Sequence, residues 1–247
     1  GMPDEGKPSA VISDELAALL PYGVGNTHPR FFGWVHGSGT PGNLIADIAA
    51  SAMNANLGGR DHGAMYVEKQ VVDWCRQIFD FPESSSGLVG SGTSIATVIA
   101  LKAARDRCFE FASRQTGLGG KKLVGYTSTQ THSCVSRAFD ILGIGSDALR
   151  KIPVNEGFEI DIDALKEAIA KDRADGLLPF AVVGTAGAVN VGAIDDLEAI
   201  GEIGEAPGVV AVGTSDAPKA QIAVHVGGGR QDVPLYDRDT LSASAVI

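Results

Sequence analysis

The stretch 122-KLVGYTSTQTHSCVSRAFDILGIG-145 combines a short apolar strand pattern with the start of a helical pattern. Its first part predicts a strand over 122–128. Apolar residues then recur at helical spacing and predict a helix over 132–142, which two glycines end. Polar residues fill the junction between the two elements, and His132 lies among them. The stretch therefore predicts a strand–helix unit with a histidine at its junction.

The same alternation continues along the chain. Further strands are predicted over 149–154 and 180–185. The predicted helices cover 42–57, 64–80, 93–113 and 195–204, with one more opened by Asp161. Asp195 and Asp196 are interpreted as the N-terminal turn of the helix over 195–204. Strands that alternate with helices predict an α/β fold with a mostly parallel central sheet flanked by helices.

The carboxyl ends of the predicted strands locate a candidate cleft. In parallel sheets that are wrapped by helices, ligands bind beyond the carboxyl ends of the strands. His132 follows one predicted strand and Thr185 ends another. A lone histidine is often a structural, hydrogen-bonded residue, but a polar strand end equally suits a site residue. We therefore expect His132 to face a cleft at this edge of the sheet.

Composition narrows the classes of function. The chain has 247 residues and a net charge of −10, with no cluster of Lys and Arg, so a nucleic-acid partner is not expected. No apolar run has transmembrane length, and no signal sequence is visible, which predicts a cytoplasmic protein without a membrane partner. The five histidines lack metal-binding spacing, so no metal site is expected. A hydrolase is also disfavoured, because no GxSxG motif occurs.

A turn rich in Gly, Ser and Thr precedes the helix predicted over 93–113, in 86-SGLVGSGTSIATVIALKAAR-105. Unpaired backbone amides at a helix start, together with the helix dipole, favour a phosphate group. The turn lacks the Gly-Lys-Ser/Thr of a P-loop and does not fit a dinucleotide-binding motif. A phosphate site and a flexible helix cap are both compatible with this pattern.

An aromatic loop precedes the first predicted helix of the α/β region, within 28-HPRFFGWV-35. Long loops inside compact domains are uncommon and are often functional. Aromatic residues in such a loop are either core residues or part of a substrate-facing wall. Neighbouring His28 and His36 keep the second interpretation open.

Together, four segments resemble the group II pyridoxal-phosphate decarboxylases, the family of aromatic-amino-acid, glutamate and histidine decarboxylases. The segments are 28-HPRFFGWV-35, 87-GLVGSGTSIATVIALKAAR-105, 126-YTSTQTHSCVSRA-138 and 181-AVVGTAGAVNVGAIDDLEAIGEI-203. They occur in the order typical of the family and at about its spacing.

The resemblance implies the large domain of a fold-type-I, homodimeric enzyme with pyridoxal 5'-phosphate as cofactor. It assigns Gly92, Thr93 and Ser94 to the phosphate-binding turn. His132 becomes the catalytic histidine whose ring stacks on the cofactor, and Thr185 is a further cofactor-binding candidate. The loop that lines the substrate pocket contributes the following candidates: His28, Phe32, Trp34 and His36.

The resemblance weakens after residue 204. The family has an aspartate in an HVDAA-like strand end and a lysine in an HKW-like motif, and neither motif is present. Asp216 lies near the expected aspartate position, but Lys219 is too close to it to match the lysine. Truncation and a frameshift both remain as explanations. Three regions are predicted: an N-terminal helix and substrate loop over 1–41, a partial cofactor-binding domain over 42–204 and a divergent tail over 205–247.

The resemblance implies decarboxylation of an L-amino acid, a reaction of a carboxy-lyase in amino-acid metabolism. The missing motifs predict that this chain is an incomplete and inactive form. One alternative is a catalytically inactive binding protein on the same fold. Another is a pyridoxal-phosphate-dependent aldehyde lyase on the same scaffold.

Overall fold

A computed structural model describes residues 2, 4–33, 39–56, 58, 61–79, 81, 83, 85–204, 210–214, 223–226, 236–237, 240–241 and 245–246. Side chains are described up to residue 203. The chain divides into two compact units, Gly1–Asn54 and Ala55–Ile247. The second unit contains the predicted strand–helix alternation.

The secondary structure described in the first unit consists of helices. Helix α1 covers Ser9–Leu19, a short 3-10 helix covers Leu20–Tyr22, and helix α2 covers Pro41–Met53. The Thr40 hydroxyl caps α2 by accepting a hydrogen bond from the Asn43 amide at 3.3 Å. Both helices carry exposed apolar side chains: Val11, Ile12, Leu16 and Leu19 on α1, and Leu44, Ile45, Ile48 and Met53 on α2.

The second unit is built from helices and a central sheet. Its helices are α3 (Gly63–Ile78), α4 (Thr93–Cys108), α5 (Ser113–Thr116), α6 (Cys134–Ile141), α7 (Ile162–Ala174) and α8 (Leu197–Gly204). Its strands are β1 (Gly87–Leu88), β2 (Leu123–Ser128), β3 (Leu149–Ile152), β4 (Leu178–Thr185), β5 (Val210–Thr214), β6 (Ala223–Val226), β7 (Tyr236–Asp237), β8 (Thr240–Leu241) and β9 (Ala245–Val246).

The described strands form a seven-stranded sheet in the order β1-β9-β6-β5-β4-β2-β3, and β7 pairs with β8 separately. Strands β3, β2, β4 and β5 run parallel to one another, and β1 is parallel to β9. Strand β6 is antiparallel to both of its neighbours. This arrangement confirms the predicted α/β fold with a mostly parallel sheet flanked by helices.

Apolar clusters cover both faces of the sheet. One packs α4 and α6 against the sheet through Leu101, Val135, Phe139, Ala181 and Val183, among others. The other packs α7 and α8 through Val124, Tyr126, Leu165, Val182 and Ile200, among others. Glycine is required where a helix comes close to a strand, because a Cβ at Gly125 would lie 2.6 Å from Phe139 Cζ.

The helix predicted over 93–113 ends earlier, at Cys108. Glu110 and Phe111 adopt left-handed backbone conformations, with φ of 49° and 65°. The Phe111 amide donates to the Asp106 carbonyl at 2.7 Å, and the Ser113 hydroxyl donates to the buried Asp106 carboxylate at 3.0 Å. These contacts close the end of α4, which periodicity alone could not predict.

Candidate active site

The carboxyl ends of β2 and β4 lie side by side, with Thr127 opposite Val183. Four hydroxyl groups meet there, and we call them the hydroxyl cluster: Thr127, Ser128, Thr131 and Thr185. Thr131 Oγ1 lies 2.5 Å from Thr127 Oγ1, 3.2 Å from Ser128 Oγ and 3.1 Å from Thr185 Oγ1. Thr127, Ser128 and Thr185 are buried. The predicted polar edge is therefore an ordered network that joins two strands.

His132 follows the hydroxyl cluster directly and is exposed. Its Nδ1 accepts a hydrogen bond from the Cys134 amide at 3.2 Å, and its carbonyl accepts one from the Val135 amide at 3.3 Å. Because Nδ1 is an acceptor, the neutral ring carries its proton on Nε2. The start of α6 thus fixes the ring while leaving the imidazole accessible, as a stacking or proton-transfer role would need.

The start of α4 has the backbone geometry of an anion site. Gly92 caps the helix with φ of 128°, a conformation that a side chain would strain, and no side chain caps this end. The Gly92 carbonyl accepts from the amides of Ile95 and Ala96, each at 3.1 Å. The amides of Thr93 and Ser94 precede these donors, so no carbonyl of the helix can pair with them. They are the donors that a phosphate would use.

Helix α4 contacts the segment that carries His132. The Thr97 hydroxyl donates to the Thr93 carbonyl at 2.8 Å and lies 3.9 Å from Cys134 Sγ. Thr97 and Cys134 are both buried. The first turn of α4 and the first residue of α6 are therefore packed together, which brings the glycine-capped turn and the His132 junction into one region.

Asp195 is a residue whose position the sequence interpretation missed. It is buried, and its two carboxylate oxygens accept from the backbone amides of Ile160 at 2.7 Å and Thr185 at 2.8 Å. Burial raises the pKa of Asp195, although the two amide hydrogen bonds act in the opposite direction. The expected helix-start role holds only for Asp196, whose carboxylate accepts from the Ala199 amide at 3.0 Å. Asp195 instead anchors the carboxyl end of β4.

Lys151 is a second residue that the sequence did not single out. It lies on β3 opposite Thr127, so both side chains emerge on the same side of the sheet. Lys151 is an exposed residue, but partial desolvation of its ammonium lowers its pKa, while the interaction with Cys134 acts in the opposite direction. Its position at the edge of the sheet supplies an amine near the candidate site.

The predicted substrate-loop residues fall in two groups. His28 and Phe32 are exposed in the first unit, and the His28 Nδ1 accepts from the Arg30 amide at 3.1 Å. Trp34 and His36 lie outside the described residues, as do Asp216 and Lys219. The cofactor and substrate roles assigned to these residues and to Gly92, Thr93, Ser94, His132 and Thr185 stay predictions.

The part of the chain that the structure describes contains neither a metal-binding cluster nor a membrane-spanning helix. Among these residues, no three His, Cys, Asp or Glu side chains are grouped so that they could hold a metal ion. No described helix is both long enough and apolar enough to cross a membrane.

The pyridoxal-dependent decarboxylase conserved domain matches residues 1–226 of this chain. The chain therefore belongs to the pyridoxal-dependent decarboxylase family. This match confirms the resemblance that the four sequence segments indicated.

Curated relatives include aromatic-L-amino-acid decarboxylases. That of Bacillus atrophaeus is 34% identical over 180 residues, covering 71% of this chain and 36% of the relative. That of Mus musculus is 32% identical over 216 residues, covering 81% of this chain and 44% of the relative. The chain thus spans less than half the length of these two relatives.

Solved structures show the same fold. The glutamate decarboxylase domain of a Vibrio parahaemolyticus diaminobutyrate-pyruvate transaminase and L-2,4-diaminobutyrate decarboxylase is 28% identical, with a TM-score of 0.77 over 87% of this chain and 49% of that one. Oryza sativa TDC, solved with PLP, is 26% identical, with a TM-score of 0.73 over 88% of this chain and 49% of that one.

Proposed function

We propose that this chain is part of an enzyme that removes the carboxyl group of an L-amino acid with pyridoxal phosphate as cofactor. The observation that carries the proposal is the exposed His132 imidazole, held by the Cys134 amide beside the glycine-capped start of α4. These residues fit a phosphate ester joined to a flat aromatic ring. When bound, pyridoxal phosphate supplies a ring that withdraws the electrons left behind as CO₂ departs.

The proposed roles follow from the chemistry of each group. The amides of Thr93 and Ser94, with the Ser94 hydroxyl, bind the phosphate, and Gly92 lets the backbone approach it closely. The His132 ring stacks on the cofactor and holds its plane, while Thr185 lies at the adjoining strand end. Family resemblance assigns Asp216 to the ring nitrogen.

We propose that the loop carrying His28, Phe32, Trp34 and His36 contacts the substrate side chain. Three aromatic or imidazole rings beyond His28 suit an aromatic amino acid, and the relatives from Bacillus atrophaeus and Mus musculus act on that class by name. Titrating the chain loaded with pyridoxal phosphate with aromatic L-amino acids and with L-glutamate, and comparing the binding affinities, tests this assignment. Preference for glutamate would contradict it.

Homodimerisation is also part of the proposal. Helices α1 and α2 expose apolar side chains, including Leu16 and Ile48, and exposed apolar groups of this kind, where they form a patch, mark interaction sites. Sedimentation equilibrium of the chain should give a dimer, and Ile48→Glu should shift it towards monomer. Asp47→Asn, a neighbouring change on the same helix, serves as the control. A monomer at all concentrations would contradict this part.

Cofactor binding is the first test of the proposed function. The chain should bind added pyridoxal phosphate, and His132→Ala should weaken binding about fivefold, because ring stacking contributes on the order of 1 kcal/mol. His62→Ala, which removes an imidazole at the start of α3, should leave the affinity unchanged. Fluorescence titration with pyridoxal phosphate measures both. Equal affinities of wild type and His132→Ala would remove the proposed role of His132.

Covalent attachment of the cofactor to a lysine distinguishes a catalytic protein from one that only binds the cofactor. The missing lysine motif favours a second candidate, a protein that binds the cofactor without turnover, and we propose that this chain alone releases no CO₂. Borohydride treatment of the cofactor-loaded chain followed by peptide mass spectrometry identifies any lysine that carries a pyridoxyl group. A mark on Lys219 together with CO₂ release would overturn the proposed inactivity. Release of an aldehyde instead of CO₂ would favour the lyase alternative.

A further inference from the structure

Thr131 is the centre of the hydroxyl cluster. Its Oγ1 is within hydrogen-bond distance of three other hydroxyl oxygens, on Thr127, Ser128 and Thr185. Two of these belong to the end of β2 and the third belongs to the end of β4. Thr131 itself lies on neither strand, so its side chain joins the loop after β2 to both strands.

Counting donors and acceptors shows that these contacts use the whole capacity of Thr131. A threonine hydroxyl has one proton and two lone pairs. Its proton and its two lone pairs together suffice for the contacts with Thr127, Ser128 and Thr185. No donor or acceptor capacity of Thr131 is then left for a ligand. The side chain therefore suits a positioning role rather than direct contact with substrate or cofactor.

The residue positioned is His132, the next residue in the chain. On the N-terminal side, the Thr131 amide donates to the Ser128 carbonyl at 3.2 Å, and the hydroxyl cluster holds the side chain. On the C-terminal side, the Cys134 amide holds the His132 ring at Nδ1. His132 is exposed but is bracketed by two sets of hydrogen bonds.

We propose that Thr131 is a positioning residue that fixes the orientation and tautomer of His132 by tying its loop to β4 through Thr185. The backbone of Thr185 is itself held by Asp195, which accepts from the Thr185 amide at 2.8 Å, while the Asp195 amide donates to the Thr185 carbonyl at 2.8 Å. The support for His132 thus extends into the buried part of the sheet. The link to the cofactor rests on the proposed function.

The test compares Thr131→Val with Thr131→Ser in the full chain. Valine preserves the branched shape but loses all three hydroxyl contacts, whereas serine retains the hydroxyl. Long-range ¹H–¹⁵N NMR of the histidine rings reports the tautomer of His132 without any cofactor. We expect wild type and Thr131→Ser to show the proton on Nε2, and Thr131→Val to show a mixture of tautomers.

A matched control is Thr129→Val, which makes the same chemical change two residues away, on an exposed residue of the same loop. It should leave the His132 signals unchanged. Thermal unfolding of each variant shows whether it is folded. If Thr131→Val does not fold, Thr185→Val removes one partner of Thr131 and serves as the second variant. Identical His132 spectra in wild type and in the folded valine variant would overturn the proposal, as would a Thr131→Ser spectrum that is equally disturbed.

Titration with pyridoxal phosphate is the second readout. Thr131→Val should bind it roughly fivefold more weakly, and Thr131→Ser should bind it like wild type. If wild type does not bind the cofactor, the proposed function fails, while the NMR comparison still decides the role of Thr131. If wild type binds the cofactor and all variants match it in affinity and in the His132 spectrum, the inference about Thr131 is wrong while the proposed function stands.

Discussion

Strand β2 carries two polar networks that begin one residue apart. Tyr126 contributes to one, the carboxylate cluster, which contains Tyr126, Arg150 and Asp172. Thr127 contributes to the other, the hydroxyl cluster around Thr131. Tyr126 and Thr127 are both fully buried. Because successive side chains of a strand point to opposite faces, the side chains of Tyr126 and Thr127 lie on different sides of the sheet.

The two networks differ in charge and in what they hold. Tyr126 donates to Asp172 at 2.9 Å, and Arg150 donates two hydrogen bonds to the same carboxylate at 3.0 and 3.1 Å. These contacts tie α7 to β2 and β3. The hydroxyl cluster is neutral and ends beside His132. One strand can therefore stabilise the fold through a side chain on one face and position the candidate active site through the side chains at its carboxyl end.

Asp172→Asn should have the largest effect on stability. It replaces a carboxylate that accepts three hydrogen bonds, and we expect a loss of about 2 kcal/mol in the free energy of unfolding, because a charge-assisted network is weakened inside the fold. Urea denaturation measures it. Asp175→Asn at the exposed end of α7 is the control and should cost little. If Asp172→Asn and Asp175→Asn are equally stable, the carboxylate cluster does not stabilise the fold.

The same variant gives a pH test. Burial acts to raise the pKa of Asp172, but hydrogen bonds from Arg150 and Tyr126 outweigh it and hold the pKa below its usual value of 3.8. The stabilisation is therefore complete above pH 3.8 and is lost as the pH falls through the lowered pKa. The advantage of wild type over Asp172→Asn should shrink in acid. If wild type instead became increasingly more stable than Asp172→Asn below pH 3.8, the lowered pKa of Asp172 would be contradicted.

Asp195→Asn should show the opposite pH dependence and a smaller loss, about 1–2 kcal/mol near neutral pH, because an asparagine oxygen cannot accept from both amides. Burial raises the pKa of Asp195 above its usual value of 3.8. The folded chain retains the proton longer, so this group's contribution is complete below that value and falls as the pH rises through the raised pKa. Urea denaturation between pH 3.5 and 7 should show that wild type exceeds Asp195→Asn in the free energy of unfolding by more at the acid end of this range. An advantage that grows with pH would refute it.

Tyr126→Phe and Thr127→Val form a matched pair of hydroxyl removals on neighbouring residues. Tyr126→Phe should cost about 1 kcal/mol, the usual net value of one hydrogen bond, and Thr127→Val at least as much, because the Thr127 hydroxyl contacts both Thr131 Oγ1 and the Val183 carbonyl. Only Thr127→Val should alter the NMR signals of the His132 ring, because only its hydroxyl contacts Thr131. Changed His132 signals in Tyr126→Phe would mean that the two networks are coupled through the strand.

A double-mutant cycle should reveal the smallest effect. Thr131→Val and Thr185→Val remove the two ends of one hydroxyl pair, 3.1 Å apart. We expect a coupling energy of about 0.5 kcal/mol, within the range for neighbours in one network. Thr129→Val combined with Thr185→Val is the control and should be additive. Additivity in the first cycle as well would deny a direct bond between Thr131 and Thr185.

Several elements were predictable because their signals are local. The strand expected over 122–128 is β2 at Leu123–Ser128, and the helix expected over 132–142 is α6 at Cys134–Ile141. Periods of two and 3.6 residues identify such elements without knowledge of the rest of the chain. The glycine-capped start of α4 was visible for the same reason, since Gly92 and Thr93 are adjacent in sequence.

Only the tertiary structure decided which polar groups meet. Thr131 and Thr185 are 54 residues apart, and Ile160 and Asp195 are 35 apart. No periodicity couples positions at such distances. The sequence pattern placed Asp195 at a helix start, yet in the fold Asp195 is buried and accepts from the amides of Ile160 and Thr185. The sequence by itself determined the main strand–helix alternation, the mostly parallel character of the sheet and the location of His132 at a strand end. The packing of β4 against β2 determined the hydroxyl cluster, because hydrogen bonds require contact in space rather than closeness along the chain.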